Sequence, residues 1–482
     1  MKLTDYVRYD ALGLAELVRR GDVTPGELVA AAQAAVAQVD PGVNAVVLDM
    51  ADEAARCLAH GLPSGPFTGV PLMLKDFVCN YAGVPTRFGS RLFEGLVPPH
   101  DSETMARFRR AGFVTIAKTA CSEFGLNAAT EAKAYGKPVR NPWNPAHSAS
   151  GSSGGSAVAV ATRMVPVAYG DDGGGSIRLP ASHTASFGLK PSRGRVPLGP
   201  DLPDTGFAGL ACAHALTRSV RDSAAVLDVL AGPDCGATFH APPPRRPFLQ
   251  EVGAPPGVLR IGYCARLDDT TDVHPDALAA LDDAAHLCEA LGHVVEPIDF
   301  KFDQAAFARA WCTAVIAWLT PIVDGTAAML GRVPGPDNLE AATWSAIQHG
   351  RRLKAADLVG AQLHFNAMSR AMGQLFNTYD VLLTPAVSTP PPLLGVMDQD
   401  EPGVDAYDFT ARHTMRLGHV CGMFNATGNP AMSVPLYWNA AGLPLGAHFV
   451  GRYGDEATLL RLAAQLEAAR PWINRLPPLC AG

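Results

Sequence analysis

The chain has 482 residues, 48% of them hydrophobic and 18% charged, which is ordinary for a water-soluble globular protein able to bury a large core. Its 39 Lys and Arg against 46 Asp and Glu leave a formal charge of −7, which speaks against nucleic acid as the main partner. Ten scattered cysteines with no Cys-x-x-Cys pair predict neither a zinc site nor a disulfide framework, but reduced thiols, mostly buried, in a cytoplasmic setting. Met1 to Leu17 carries Asp5, Arg8, Asp10 and Glu16 and lacks the apolar stretch of a signal peptide. No uninterrupted run of about 18 apolar residues suggests a membrane span.

The first 60 residues read as a helical segment. Thr24-Pro25-Gly26-Glu27 is a helix start, with Thr24 as cap, Pro25 in the first turn and Glu27 reaching back. Leu28, Ala31, Ala32, Ala35, Val36 and Val39 follow at helical spacing, and Pro41-Gly42 is expected to end the helix before a strand at Ala45-Val47. From 65 to 230 glycine, serine and short apolar runs dominate. Val70-Leu74 and Val114-Ala117 read as strands and Thr104-Ala111 as a helix, an α/β texture. Residues 233–257, with Pro242-Pro243-Pro244 and Pro255-Pro256, suit an excursion over the surface. In 258–482 a strand is expected at Leu259-Tyr263 and a helix from Leu278 closed by Gly292. Largely helical sequence fills 305–375. Strands follow at Val381-Leu383, Ala431-Leu436 and Gly446-Val450, then a final helix at Glu456-Ala468. The apolar signals resume after each proline-rich loop, so 1–482 is expected to be a single domain.

Three stretches could carry chemistry. In Gly69-Val70-Pro71-Leu72-Met73-Leu74-Lys75-Asp76 a lysine ends an apolar run. Buried, it would favour the neutral amine, a general base; alternatively it reaches solvent or pairs with Asp76. In Ser150-Gly151-Ser152-Ser153-Gly154-Gly155-Ser156 a glycine- and serine-rich turn feeds a helix of small residues, which reads equally well as a capped helix with a flexible lead-in. In Gly170-Asp171-Asp172-Gly173-Gly174-Gly175-Ser176-Ile177-Arg178 consecutive glycines let several N–H groups point one way, a nest that can hold an oxyanion beside a serine nucleophile; by itself it is also an ordinary turn.

Taken together, the three stretches resemble the amidase signature family. Its pattern runs Gly-(Val/Ile)-Pro…Lys-Asp, Gly-Gly-Ser-Ser-Gly-Gly-Ser and Gly-Gly-Ser-Ile-Arg-x-Pro, with the 24-residue interval found here from Ser152 to Ser176. The likeness continues through Pro180-Ala181, Gly188-Leu189-Lys190-Pro191, Lys118-Thr119, Arg140-Asn141-Pro142, Thr384-Pro385 and Asn429-Pro430. It implies an α/β fold, a large mixed β-sheet covered by helices on both faces. It also implies a Lys75–Ser152–Ser176 triad in which Ser176 is the nucleophile, Ser152 bridges through a cis peptide linkage, and Lys75 is the base. The N–H groups of Gly173, Gly174, Gly175 and Ser176 would form the oxyanion hole, supported by Asp172, Arg178 and Ser153, with no metal and no organic cofactor. The sequence departs from the pattern at Ser150, where glycine is usual, at Asp171, where Thr, Ser or Asn is common, and at Gly173, where a side chain is frequent.

Three competing readings stay open. Gly151 to Gly155 fits a Gly-x-Ser-x-Gly nucleophile elbow with Ser153 as nucleophile and a downstream histidine such as His448. The glycine loops could bind a small molecule without chemistry, although no P-loop lysine follows them. The signature is also shared by the glutamine-hydrolysing subunit of tRNA amidotransferases. Within the family, Thr130-Glu131, Tyr135-Gly136, Arg140-Asn141-Pro142 and the region around Cys312 are similar to the branch that cleaves nylon oligomers, near urethanases and aryl acylamidases. That likeness implies Cys312 and Leu126 as pocket residues, each explained equally well by core packing. Ala310 to Val323 carries no charge and, with the loop 386–408, is a candidate pocket wall. The expected partner is a small uncharged amide or carbamate, bound by a monomer or homodimer, with no nucleic acid and no membrane.

Overall fold

Short apolar runs bounded by glycine and proline become strands here, because each is too short to bury a helical face and both of its sides find cover. In the computed structural model, which describes every residue except 204, 267–270 and 419, the strands are β1 (Val46–Asp49), β2 (Pro71–Lys75), β3 (Val114–Thr119), β4 (Val167–Asp172), β5 (Phe187–Lys190), β6 (Cys212–Thr217), β7 (Arg260–Tyr263), β8 (Val294–Pro297), β9 (Val381–Pro385), β10 (Ala431–Trp438) and β11 (Pro444–Gly451). All join one mixed sheet in the order β1-β3-β2-β4-β6-β5-β10-β11-β9-β7-β8. Strands from before and after both proline-rich loops therefore share it. Side chains alternate between the two faces of a strand, and every residue of β2, β3, β4, β6, β9 and β11 is buried, so helices and loops cover both faces.

Two features place the site. First, β2 runs parallel to both β3 and β4, with Met73 level with Ala168. Lys75 and Asp171 thus emerge at the same edge, at the carboxyl ends of adjacent parallel strands, where α/β sheets gather their ligands. Second, the helix Gly154–Ala161 packs against β2, β3 and β4. It comes close because Gly155 has no side chain: a Cβ there would lie 2.6 Å from the Ala120 nitrogen and 2.7 Å from its carbonyl oxygen.

The structure departs from the sequence reading at several points. The helix capped by Thr24 runs Pro25–Val43, through Pro41 and Gly42. Pro41 lies in the last turn, where one lost hydrogen bond costs little, and Asn44 in the left-handed region (φ 56°) ends the helix instead. The central strands β4, β5 and β6 carry weak signals because glycine and polar residues interrupt them. The helix Gln304–Met329 is long and apolar enough to cross a membrane, although Trp, Thr, Pro and Asp break its apolar run; 67% of its most apolar window is buried inside the molecule. The segment 233–257 contains no strand, only a short 3-10 turn at Phe248–Glu251 that tucks Phe248 inside. All ten cysteines are free thiols, seven of them buried.

The close approach at Gly155 predicts that Gly155→Ala lowers stability by about 1–3 kcal/mol, the usual range for overpacking. Gly26→Ala, in a first helical turn with nothing within 4 Å of the added carbon, should instead raise it by about 0.5–1 kcal/mol. Urea unfolding of the two variants checks both signs; equal effects would contradict the packing account.

Candidate active site

Lys75 is fully buried at the end of β2. Its Nζ donates to Ser152 Oγ at 2.7 Å and to Asp171 Oδ1 at 2.5 Å, and lies 5.0 Å from the centre of the Phe77 ring. It does not pair with Asp76, which is held by Thr86 Oγ1 (3.0 Å), Tyr135 Oη (2.9 Å) and Lys118 Nζ (3.6 Å). Burial raises the Asp171 carboxyl above the ordinary carboxylate range, and the neighbouring Lys75 ammonium offsets only part of that rise. Asp171 Oδ2 is buried with no hydrogen-bond partner among the described residues. Lys75 and Asp171 are therefore a buried, hydrogen-bonded acid–base pair.

The turn before the helix Gly154–Ala161 carries the serines. The Gly151–Ser152 peptide is cis. Thr130 Oγ1 braces this turn, donating to Ser150 O at 2.8 Å and accepting from Gly154 N at 3.1 Å. Ser150, where the family pattern has glycine, sits at φ 65°. A left-handed residue with a side chain costs about 1–2 kcal/mol, and its hydroxyl offsets part of this by donating to Ala128 O at 3.0 Å. Ser153 is buried, with its hydroxyl committed to Asp171 O at 3.2 Å. His448 is also buried, bonded to Thr384 Oγ1 and Arg178, and burial pushes it well below its ordinary pKa. Neither residue is placed to serve a nucleophile elbow.

Asp172 organises the glycine loop. Its Oδ1 accepts from Gly175 N (2.7 Å) and its Oδ2 from Ile177 N (3.1 Å), while the guanidinium of Arg178 clasps both oxygens at 2.9 Å. Asn425 Nδ2 donates to Asp172 O at 2.7 Å and Oδ1 at 3.0 Å, and its Oδ1 accepts from Arg178 at 2.7 Å. Burial alone would push the Asp172 carboxyl up; Arg178 reverses this and holds it well below the usual range. One expectation changes here. Gly175 N–H is already given to Asp172, whereas the N–H groups of Gly173, Gly174 and Ser176 have no acceptor among the described residues.

Ser152, Ser176, Asp171 and Gly173 line one inner cavity of about 20 Å³, walled by Phe77, Phe207 and Trp311. Ser176 is half-buried, in contrast to the fully enclosed Ser152 and Ser153. Trp311 Nε1 donates to Gly173 O at 3.1 Å, laying the indole over the loop. Cys312 and Leu126 do not reach this cavity. They line another of about 20 Å³ whose lining shares only Trp311 with the first. Burial pushes the Cys312 thiol up to about 12, so it stays protonated. Sequence reasoning noted Asp171 as a departure but not as the partner of Lys75, and it missed Asn425 and Trp311. Neither of these lies in a motif, and both reach the loop from more than 130 positions away in the chain.

The Amidase family model matches residues 27–460, and the chain belongs to this family, the amidase signature enzymes. It is an amidase, a hydrolase of non-peptide C–N bonds. It is 35% identical to the 6-aminohexanoate-cyclic-dimer hydrolase of Pseudomonas sp. (strain NK87), over 98% of this chain and 96% of that protein. Among solved structures, that of a 6-aminohexanoate cyclic dimer hydrolase complexed with substrate superposes with a TM-score of 0.92 at 33% identity, covering 98% of this chain and 99% of the other. A bacterial aryl acylamidase of the amidase signature family does so with a TM-score of 0.86 at 26% identity, covering 96% of each chain.

Two variants test the electrostatics of the site. Lys75→Met strands the Asp171 carboxylate, and breaking one partner of a buried pair costs about 3–5 kcal/mol. The raised carboxyl pKa sets the sign of the pH dependence: the folded state takes up a proton as pH falls, so the loss should be largest at alkaline pH and shrink as pH falls through the raised value. Adding Asp171→Leu should recover most of it at pH 8; a double variant as unstable as the single one would contradict the pairing. In the loop, Gly173→Ala has room, its nearest contact being Phe207 at 3.7 Å. Gly175→Ala, at φ 130° and 2.8 Å from Leu179 Cγ, should lower both melting temperature and kcat.

Proposed function

We propose that the chain hydrolyses uncharged amides or carbamates through an acyl-enzyme on Ser176, with Ser152 and Lys75 as the proton relay. The observation that carries this reading is the 2.7 Å hydrogen bond from Lys75 to Ser152, with Ser152 and Ser176 lining the same cavity beside the glycine loop. With its extra proton passed to Asp171, whose carboxyl burial makes more basic than usual, Lys75 is a neutral amine; as Ser176 Oγ attacks the carbonyl carbon, its proton passes to Ser152 Oγ, whose own proton passes to that amine. The oxygen, now negative, meets the N–H groups of the loop, preorganised by Asp172 and Arg178. The proton returns by the same path to the leaving nitrogen, the C–N bond breaks, and water then attacks the acyl-serine to release the acid. From a carbamate the released acid is the half-ester of carbonic acid, which loses carbon dioxide and leaves the alcohol.

The lining of the inner cavity supports an uncharged substrate. Among the described residues its ionisable groups are Asp171 and Asp172, so no lining cation there would meet the carboxylate of a free amino acid such as glutamine. The likeness to hydrolases of a nylon oligomer and of anilides favours linear amides, anilides and urethanes. The ten free thiols suit a reducing, cytoplasmic setting.

Ser176→Ala should lower kcat on an anilide or carbamate by on the order of 10⁴–10⁶, with Lys75→Met similar, as for other groups that act as one unit. Ser153→Ala should retain most of the activity. Turnover of free glutamine alone among a panel of amides, or activity surviving Ser176→Ala, would overturn the proposal.

A further inference from the structure

The inner cavity, at about 20 Å³, has room for little more than one water molecule. It can admit a scissile carbonyl but not the body of an amide. A second cavity of about 570 Å³ adjoins it, and Phe77, Val78 and Leu202 line both. That volume falls within the range of small-molecule binding sites. Its walls are Phe88, Phe93 and Phe124 on one side and Trp318, Leu319 and Ile322 of the helix Gln304–Met329 on the other. Phe207, from the inner cavity, stacks on Trp318, from the outer one, with ring centres 4.7 Å apart. At the mouth, Val97 and Met329 are 48% and 69% exposed, and the polar groups Asn80, His100 and Asp201 are tied to one another at 2.6–2.8 Å. The space is thus largely apolar and aromatic and adjoins the cavity of Ser176; of its polar groups, Asn80 Oδ1 is buried without a hydrogen-bond partner among the described residues.

We propose that this outer cavity binds the apolar body of the substrate, an alkyl chain or aryl ring attached to the scissile amide or carbamate. The inference rests on the reading of Ser176 as the nucleophile and adds where the remainder of the molecule lies. The chain is therefore selective for amides bearing a long or bulky hydrocarbon group, and it works poorly on acetamides.

The test is kcat/KM along two homologous series. One holds 4-nitroanilides of acids from acetic to decanoic, which vary the acyl side; the other holds N-alkylbenzamides with chains of the same lengths, which vary the leaving amine. Burying a methylene is worth about threefold to fourfold, so one series should climb by about that factor per carbon until the cavity is full. The series that climbs identifies which side of the bond enters. Ile322→Asp should flatten the climb, and Met329→Lys, at the exposed mouth and tolerant of charge, should cut only its longest members. A flat dependence in both series, or a climb that both variants leave unchanged, overturns the proposal. So does failure to hydrolyse any member; labelling of Ser176 by a fluorophosphonate then tells whether the nucleophile reading survives, since an unreactive Ser176 removes that reading as well.

Discussion

A buried carboxylate, Asp172, is the constraint on which the site depends. A charge taken out of water must be repaid by ligands of opposite sign or by hydrogen bonds. Asp172 has both, in Arg178, Asn425 and the N–H groups of Gly175 and Ile177. Meeting that demand fixes the loop between Asp172 and Arg178, and with it where Ser176 stands and which N–H groups remain free. Gly175 is enclosed by Leu179 and Cys421, so the loop has little freedom to adopt another shape. Arg178 extends the same network to His448 and to the carbonyl of Cys421. The geometry of a glycine turn is thereby set by residues more than 240 positions further along the chain.

The second buried ionisable group, Lys75, solves a different problem. It is brought beside Ser152 by strand register: β2 and β4 are parallel neighbours, so their carboxyl ends meet at one edge of the sheet. Glycines at 151, 154 and 155 let the serine turn press against Ala129, Thr130 and Ala120. Asp171 adds a carboxylate where the family pattern commonly has a neutral residue. This gives the lysine an acidic partner in addition to the serine, at the cost of one buried oxygen without a donor among the described residues.

Much of this was legible in the sequence because it is local. The glycine nest, the serine turn and the lysine ending an apolar run each lie within ten residues, and turn chemistry and burial follow from residue type. The capping box at Thr24 and the helices of 305–375 were readable for the same reason. What could not be read depends on contacts across the chain. Asn425 and Trp311 act on the loop from other elements, and nothing near them in sequence marks them. Cys312 was readable as a helix residue but not as one lining the cavity next to that of Ser176, because adjacent helical positions point in directions about 100° apart and no local signal says which one meets Gly173. Pro41 shows the limit of a punctuation rule: in a final turn, proline need not end a helix.

The central claim is that Ser176 carries the acyl group. It is tested most directly by trapping that intermediate: rapid acid quench of the enzyme with an aryl N-alkylcarbamate, which loses its phenol on attack and leaves a slowly deacylating carbamoyl ester, followed by peptide mass spectrometry. The account predicts a carbamoyl mass increment on Ser176 that appears as fast as the leaving group is released, and none in Ser176→Ala. An increment on Ser152 or Ser153, or steady turnover with no covalent species on the chain, would contradict it.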